Sequence, residues 1–117
     1  MITGAVLGGL AVALGAFGAH GLKAHVDAQG LAWWQTGVQY HMWHALAILA
    51  LGLSGQTWGR IPGWLFAAGV FIFSGSLYAM ALGAPRWFGA ITPIGGVLMI
   101  AGWAVLAWKA ASHHQIA

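Results

Sequence analysis

Charge is what this chain lacks most. Only 4% of its 117 residues are charged, against roughly 25% in a soluble domain, so the chain has too little polar surface to face water on all sides. Acid is scarcer still: Asp27 is the sole carboxylate side chain. That excludes the paired carboxylates of acid–base catalysis and the acidic ligand sets of hard cations. Cysteine is absent, which removes disulfides, thiolate nucleophiles and thiolate metal ligands. Four Lys and Arg raise the pI to about 10, yet they are scattered, whereas a nucleic-acid footprint needs them clustered. No nucleic-acid partner is expected. A Ser/His/Asp relay, H-E-x-x-H and a phosphate loop are also missing from the sequence, so a non-enzymatic protein is expected.

What is present is apolar. Hydrophobic residues make up 61% of the chain and the mean hydropathy is +0.82. A helix needs about 20 apolar residues to cross the hydrocarbon, and four stretches approach or reach that length: 2–20, 37–55, 62–83 and 88–108. The pattern predicts an all-α fold: a single-domain integral membrane bundle of four transmembrane helices over 1–117. No Lys or Arg precedes the first run, so it lacks the basic start of a signal peptide and reads as a retained span. Lys23, Asp27, Arg60, Arg86 and Lys109 fall in the breaks between runs or after the last one. Trp33, Trp34, Trp58, Trp64, Trp87 and Trp108 stand beside them as an interfacial belt; Trp43 and Trp103 lie deeper, towards neighbouring helices or acyl chains.

The first connection, 24–35, is the longest. Asp27 can cap a short helix lying in the headgroup region, or the second span begins early; both readings stay open. With four spans the termini share one side, with Arg60 and Lys109, while Lys23 and Arg86 share the other. The positive-inside count is tied; the amino terminus and the His113–His114 tail lean towards the cytoplasm.

Small residues suit helix contact where lipid supplies no hydrophobic drive for association. Gly4, Gly8, Ala11 and Gly15 form one ridge, Ala68, Gly75 and Ala79 another, and Gly95, Gly96 and Gly102 a third. They can pack within one chain or between copies, and a homo-oligomer is expected. Membrane lipids are the immediate partners, and a larger membrane complex is a further candidate. Pro93 either kinks the fourth span or sits harmlessly in its first turn.

The second span opens with polar side chains. At 100° per residue, with Thr36 as zero, Tyr40 lies at about 40°, His44 at about 80° and His41 at about 140°. Thr36, Tyr40 and His44 make a stripe with His41 on its shoulder, and His20 is expected at a similar depth. Three readings compete. The residues can be interfacial and bonded to headgroups; His20, His44 and His41 can ligate a metal or haem, since imidazole is the common ligand; or the cluster can line a route for protons or a small solute. The cofactor stays unassigned.

GAFGAHGL (15–22), W-x-T-G-V-x-Y-x-x-x-H-A-L-A (34–47), FSGSLY (73–78), ITPIGG (91–96) and AGW (101–103) resemble the small bacterial inner-membrane family called domain of unknown function 423, or YgdD-like. The resemblance covers essentially the whole chain. It implies four membrane helices and a multi-pass protein of the bacterial inner membrane, with no assigned activity. By position its pattern covers His20, Thr36, Tyr40, His44, Ser74, Gly75, Ser76, Tyr78, Thr92, Pro93, Gly95 and Gly96; at His41 the resemblance implies Gln more often, which favours His20 with His44. The expected binding site is a polar pocket near one interface, built from His20, Thr36, Tyr40, His44, Ser74, Ser76 and Thr92.

Overall fold

The computed structural model of the protein describes residues 1–112; His113 and His114, on which the cytoplasmic lean partly rests, lie outside them. Four α-helices follow one another, with no strand among the described residues: α1 Ile2–His20, α2 Ala28–Ser54, α3 Arg60–Ala81 and α4 Thr92–Ser112. Single 3-10 segments at Leu22–Ala24, Thr57–Gly59 and Arg86–Ala90 lie in the connections. The all-α class predicted from the apolar runs is the class the chain adopts.

The boundaries differ most at α2, which starts at Ala28. Asp27 starts it: its backbone is extended and its Oδ1 accepts from the Gly30 N–H at 2.7 Å, satisfying a donor that the helix itself cannot. Residues 28–35 are therefore the first two turns of α2, and no separate interfacial helix forms. At the other end Gly55 stops the helix with φ 69°, in the left-handed region that glycine enters without a Cβ penalty. Pro62 and Pro93 both fall in first turns, where the missing N–H is one the helix would leave unpaired anyway.

Three segments are long and apolar enough to cross a membrane: Ile2–Ala24, Thr57–Ala81 and Arg86–Ser112. α2 is not a fourth by that measure. Its 27 residues give it a length of about 40 Å, but Gln29, Gln35, Thr36, Gln39, Tyr40, His41 and His44 lower its hydropathy. The expected fourth apolar span is thus a long helix with polar residues through its middle.

Each helix packs on the next in the chain. α2 and α3 form the centre, α1 leans on α2, α4 leans on α3, and α1 and α3 scarcely meet. The α1 ridge packs within the chain: a Cβ on Gly4 would lie 2.5 Å from the Leu49 nitrogen, and one on Gly15 would lie 3.3 Å from Val38. On α4 a Cβ at Gly95 would meet the Gly69 carbonyl oxygen at 2.7 Å, so glycine on both helices sets the α3–α4 distance. The ridge expected on α3 is different. Ala68 is exposed and Gly75 faces open space; Gly69 packs on α4 and Ser74 on α2 instead.

Trp34 also departs from the expected belt. It is 3% exposed, packs with Leu22 and Ala81, and donates its indole N–H to the Leu14 carbonyl at 2.8 Å. Trp64, Trp87 and Trp108 are exposed, as belt residues should be.

Candidate functional site

The buried side of α2 runs through Gly30, Trp34, Gly37, His41, His44, Ala45 and Ile48; all but Ala45 follow alternating steps of four and three residues, as a packed helical seam does. The mean direction of these residues lies close to His41 and about 130° from Thr36. His41 is therefore not a shoulder residue. It is 4% exposed and His44 is 5% exposed, whereas Thr36 and Tyr40 are half-buried. The two histidines share the seam but face different helices.

His44 faces α4. The Trp103 indole, which can only donate, gives its N–H to His44 Nε2 at 3.0 Å. Nε2 is then the acceptor nitrogen, so the ring proton sits on Nδ1 and is donated to the Tyr40 carbonyl at 2.8 Å. Phe66, fully buried, meets the ring edge-on with centroids 5.2 Å apart, and Tyr40 packs on Phe73 at 4.7 Å. Both nitrogens of His44 are used and no lone pair is left for a metal.

His41 faces α3 and α1. Its Nδ1 lies 2.9 Å from the Tyr78 hydroxyl. Gly37 makes that reach possible: a Cβ there would lie 2.8 Å from Tyr78 Cε1, so only a glycine lets the tyrosine ring lie across α2. Ser74 secures the same crossing by donating to the Gly37 carbonyl at 2.7 Å. The other nitrogen of His41, Nε2, is buried and has no hydrogen-bond partner. The Leu7 main chain comes near the ring without closing such a bond. His41 is also the middle residue of α2, about 20 Å from either end by the helical rise.

A cleft of about 590 Å³ lies beside this ring, in the gap where α1 and α3 diverge. Thr3, Leu7 and Leu10 of α1 form one wall; Val70, Phe71, Ser74, Gly75 and Tyr78 of α3 form the other, with His41 between them and Phe88 and Ile91 closing one end. Leu10 and Phe71 are exposed, so the cleft opens on the flank of the bundle rather than at its ends.

The expected pocket does not assemble. Gly4 faces Leu49 and Gly15 faces Val38, so His44 lies level with about residue 9 of α1. His20 stands about 11 residues further on, roughly 17 Å along the axis, exposed at the end of α1. A metal or haem shared by His20 and His44 is excluded by that separation and by the two occupied nitrogens of His44; adding His41 does not repair it. No group of three or more metal-ligating side chains occurs among the described residues. Ser76 and Thr92 join each other across α3 and α4, and Ser76 also donates to the Phe73 carbonyl at 2.8 Å. Of the seven expected site residues only Ser74 and Ser76 line the cleft, and the residues at its polar centre are His41 and Tyr78. The spacing of Gly30, Trp34 and Gly37 was the available signal for His41, because small and aromatic side chains mark the packed side of α2.

The model of the family described as a protein of unknown function (DUF423) matches residues 14–96. The chain is 49% identical over 111 residues to the UPF0382 membrane protein YwdK of Bacillus subtilis, covering 91% of this chain and 90% of that one. It is 49% identical over 109 residues to a UPF0382 membrane protein of Staphylococcus saprophyticus, with 91% of each covered. The UPF0382 inner membrane protein YgdD of Escherichia coli is 44% identical over 112 residues, with 91% and 84% covered. No solved structure matches. With a helical architecture, three membrane-length apolar segments and these relatives, the chain belongs to the DUF423 family of membrane proteins.

Proposed function

We propose that the protein is a non-enzymatic binding protein of the bacterial inner membrane, crossing it four times, whose working site is the flank cleft with His41 and Tyr78 at its polar centre. The observation that carries this reading is the buried, unpartnered Nε2 of His41 beside a cleft of about 590 Å³. Leaving a buried polar group unpaired costs roughly 1–3 kcal/mol, and ionisable groups at membrane depth are usually functional. A cleft of this size lies within the roughly 300–1,000 Å³ of small-molecule sites. The relative named an inner membrane protein supports the location. The crossing by α2 is supported by its length and by its place between α1 and α3, which keeps His41 and His44 away from lipid.

Native mass spectrometry of the protein released from membrane nanodiscs tests the reading. Wild type is expected to carry a small apolar molecule that Gly75→Leu displaces, since a side chain at Gly75 meets open space and projects into the cleft. Wild type and variant emerging equally bare overturns it. The same spectra give the number of copies per particle and any accompanying subunit.

A further inference from the structure

The flank cleft has a neighbour. Thr3 and Ala67 line it, and the same two residues line a second cavity of about 530 Å³, at the end of the bundle where α1 and α3 begin and α2 stops. The two cavities adjoin across these residues and make one groove. Along α3 the groove follows Arg60, Trp64, Ala67 and Phe71, in steps of three and four that keep to one face of a helix.

The two parts differ in chemistry. Leu7, Leu10, Val70 and Phe71 make the flank cleft apolar. The end cavity is lined by the exposed side chains of Thr3, Gln56, Thr57 and Arg60. Trp64 stands with them, 68% exposed, as an interfacial residue does. Among the described residues Arg60 is the one charged side chain of this cavity. The only carboxylate side chain of the protein, Asp27, starts α2 at its far end, about 40 Å away. The guanidinium therefore has no side-chain counter-charge, and the cavity favours an anion.

Length and bulk select among anions. From Arg60 to Phe71 α3 rises about 17 Å, close to the depth of one leaflet, half of a hydrocarbon core about 30 Å thick. An anion held at Arg60 can thus lay an acyl chain along the groove and into the flank cleft. The end cavity is nearly as large as the cleft, more than a bare carboxylate fills, and its hydroxyl and amide side chains suit a phosphate diester that carries further hydroxyls. An ammonium headgroup would meet no carboxylate there. We infer that the groove binds one anionic phospholipid of the phosphatidylglycerol type, its phosphate against Arg60 and one acyl chain in the cleft between α1 and α3. The assignment rests on the proposal that the flank cleft is a binding site, and makes its apolar occupant a lipid tail.

The test places the full chain in phosphatidylcholine nanodiscs that contain equal, small amounts of phosphatidylglycerol, phosphatidylethanolamine and hexadecanoic acid, the phospholipids with identical chains. Native mass spectra of the released protein count what is retained. Wild type is expected to keep one phosphatidylglycerol per chain, at least about tenfold more often than either competitor, the scale of one charge-assisted hydrogen bond. Arg60→Gln should lower that retention about tenfold, to the level of phosphatidylethanolamine, while Arg60→Lys, which keeps the charge, should stay within about threefold of wild type. Gly75→Leu should remove the lipid, because its side chain leans back over the preceding turn and into the path of the tail. Glycerol phosphate in large excess should leave the lipid bound.

Equal retention of phosphatidylglycerol and phosphatidylethanolamine, a preference for hexadecanoic acid, displacement by glycerol phosphate, or indifference to Arg60→Gln overturns the phospholipid assignment. The cleft reading survives any of these if Gly75→Leu still empties the site. Phosphatidylglycerol lost in Arg60→Gln but indifferent to Gly75→Leu overturns both, and so does a bare wild type. Should a variant fail to fold, the comparison of phosphatidylglycerol with phosphatidylethanolamine on wild type still decides whether the anion is recognised.

Discussion

His41 and His44 stand one turn apart on the same seam of α2, equally buried, and their surroundings have little in common. His44 has a donor on one nitrogen and an acceptor on the other, with aromatic rings from α3 and α4 packed against it. His41 has one partner, one free nitrogen and a cleft alongside. Identical chemistry at nearly identical depth thus serves two ends. A histidine with both nitrogens engaged ties helices together in a solvent that offers no replacement partner. A histidine with one nitrogen free keeps a polar contact in reserve.

The largest expected effect comes from the tied residue. His44→Ala leaves the Trp103 indole N–H unpaired and opens a void against fully buried Phe66. The two effects together should destabilise the protein by about 3 kcal/mol, read as a loss of unfolding free energy in detergent or bicelles. A cost for His44→Ala no larger than that for His41→Ala would break the comparison. Trp103→Phe removes only the donor and keeps most of the ring contact, so it should cost about 1 kcal/mol, the scale of a side-chain hydrogen bond between membrane helices. In a double-mutant cycle with His44→Phe the coupling should account for most of that loss. Independent effects would mean that the 3.0 Å contact contributes nothing to stability.

The helices were legible in the sequence because apolar length and breaks of charge, Gly and Pro are local signals. The α1 ridge was legible for the same reason: Gly4, Gly8, Ala11 and Gly15 share one face whatever they pack on. The site was not, and α2 shows why. Its polar residues Thr36, Gln39 and Tyr40 draw attention to a face that the fold leaves at the edge of the packing, while the inward direction is set by Gly30, Trp34 and Gly37. Which face turns inward depends on where α3 lies, and the Gly37–Tyr78 and Gly37–Ser74 contacts that place it link residues about 40 positions apart. The depth of His44 is hidden by a second non-local fact. Asp27 starts α2 well before the apolar run at 37, so His41 and His44 lie near the middle of the helix rather than near its entrance. His20, close to the first connection in sequence, stays at the end that α2 has left behind.

The smallest effect is the sharpest test of the difference between the two histidines. His41→Phe removes the orphaned Nε2 but strands the Tyr78 hydroxyl in a half-buried setting, and those changes oppose each other. A net loss of about 1 kcal/mol is expected for the single variant. Tyr78→Phe added to it removes the stranded hydroxyl and leaves two apolar rings of nearly the original shape, and replacing both partners of a buried pair in this way is close to neutral. The double variant should therefore regain stability to within about 0.5 kcal/mol of wild type, measured under the same unfolding conditions, while the small molecule expected in native mass spectra of wild type stays lost. Recovery of stability without recovery of binding assigns the pair to a ligand. A double variant that remains as unstable as the single one, or less stable, would instead make His41 a second structural tie like His44, its free nitrogen an incident of packing.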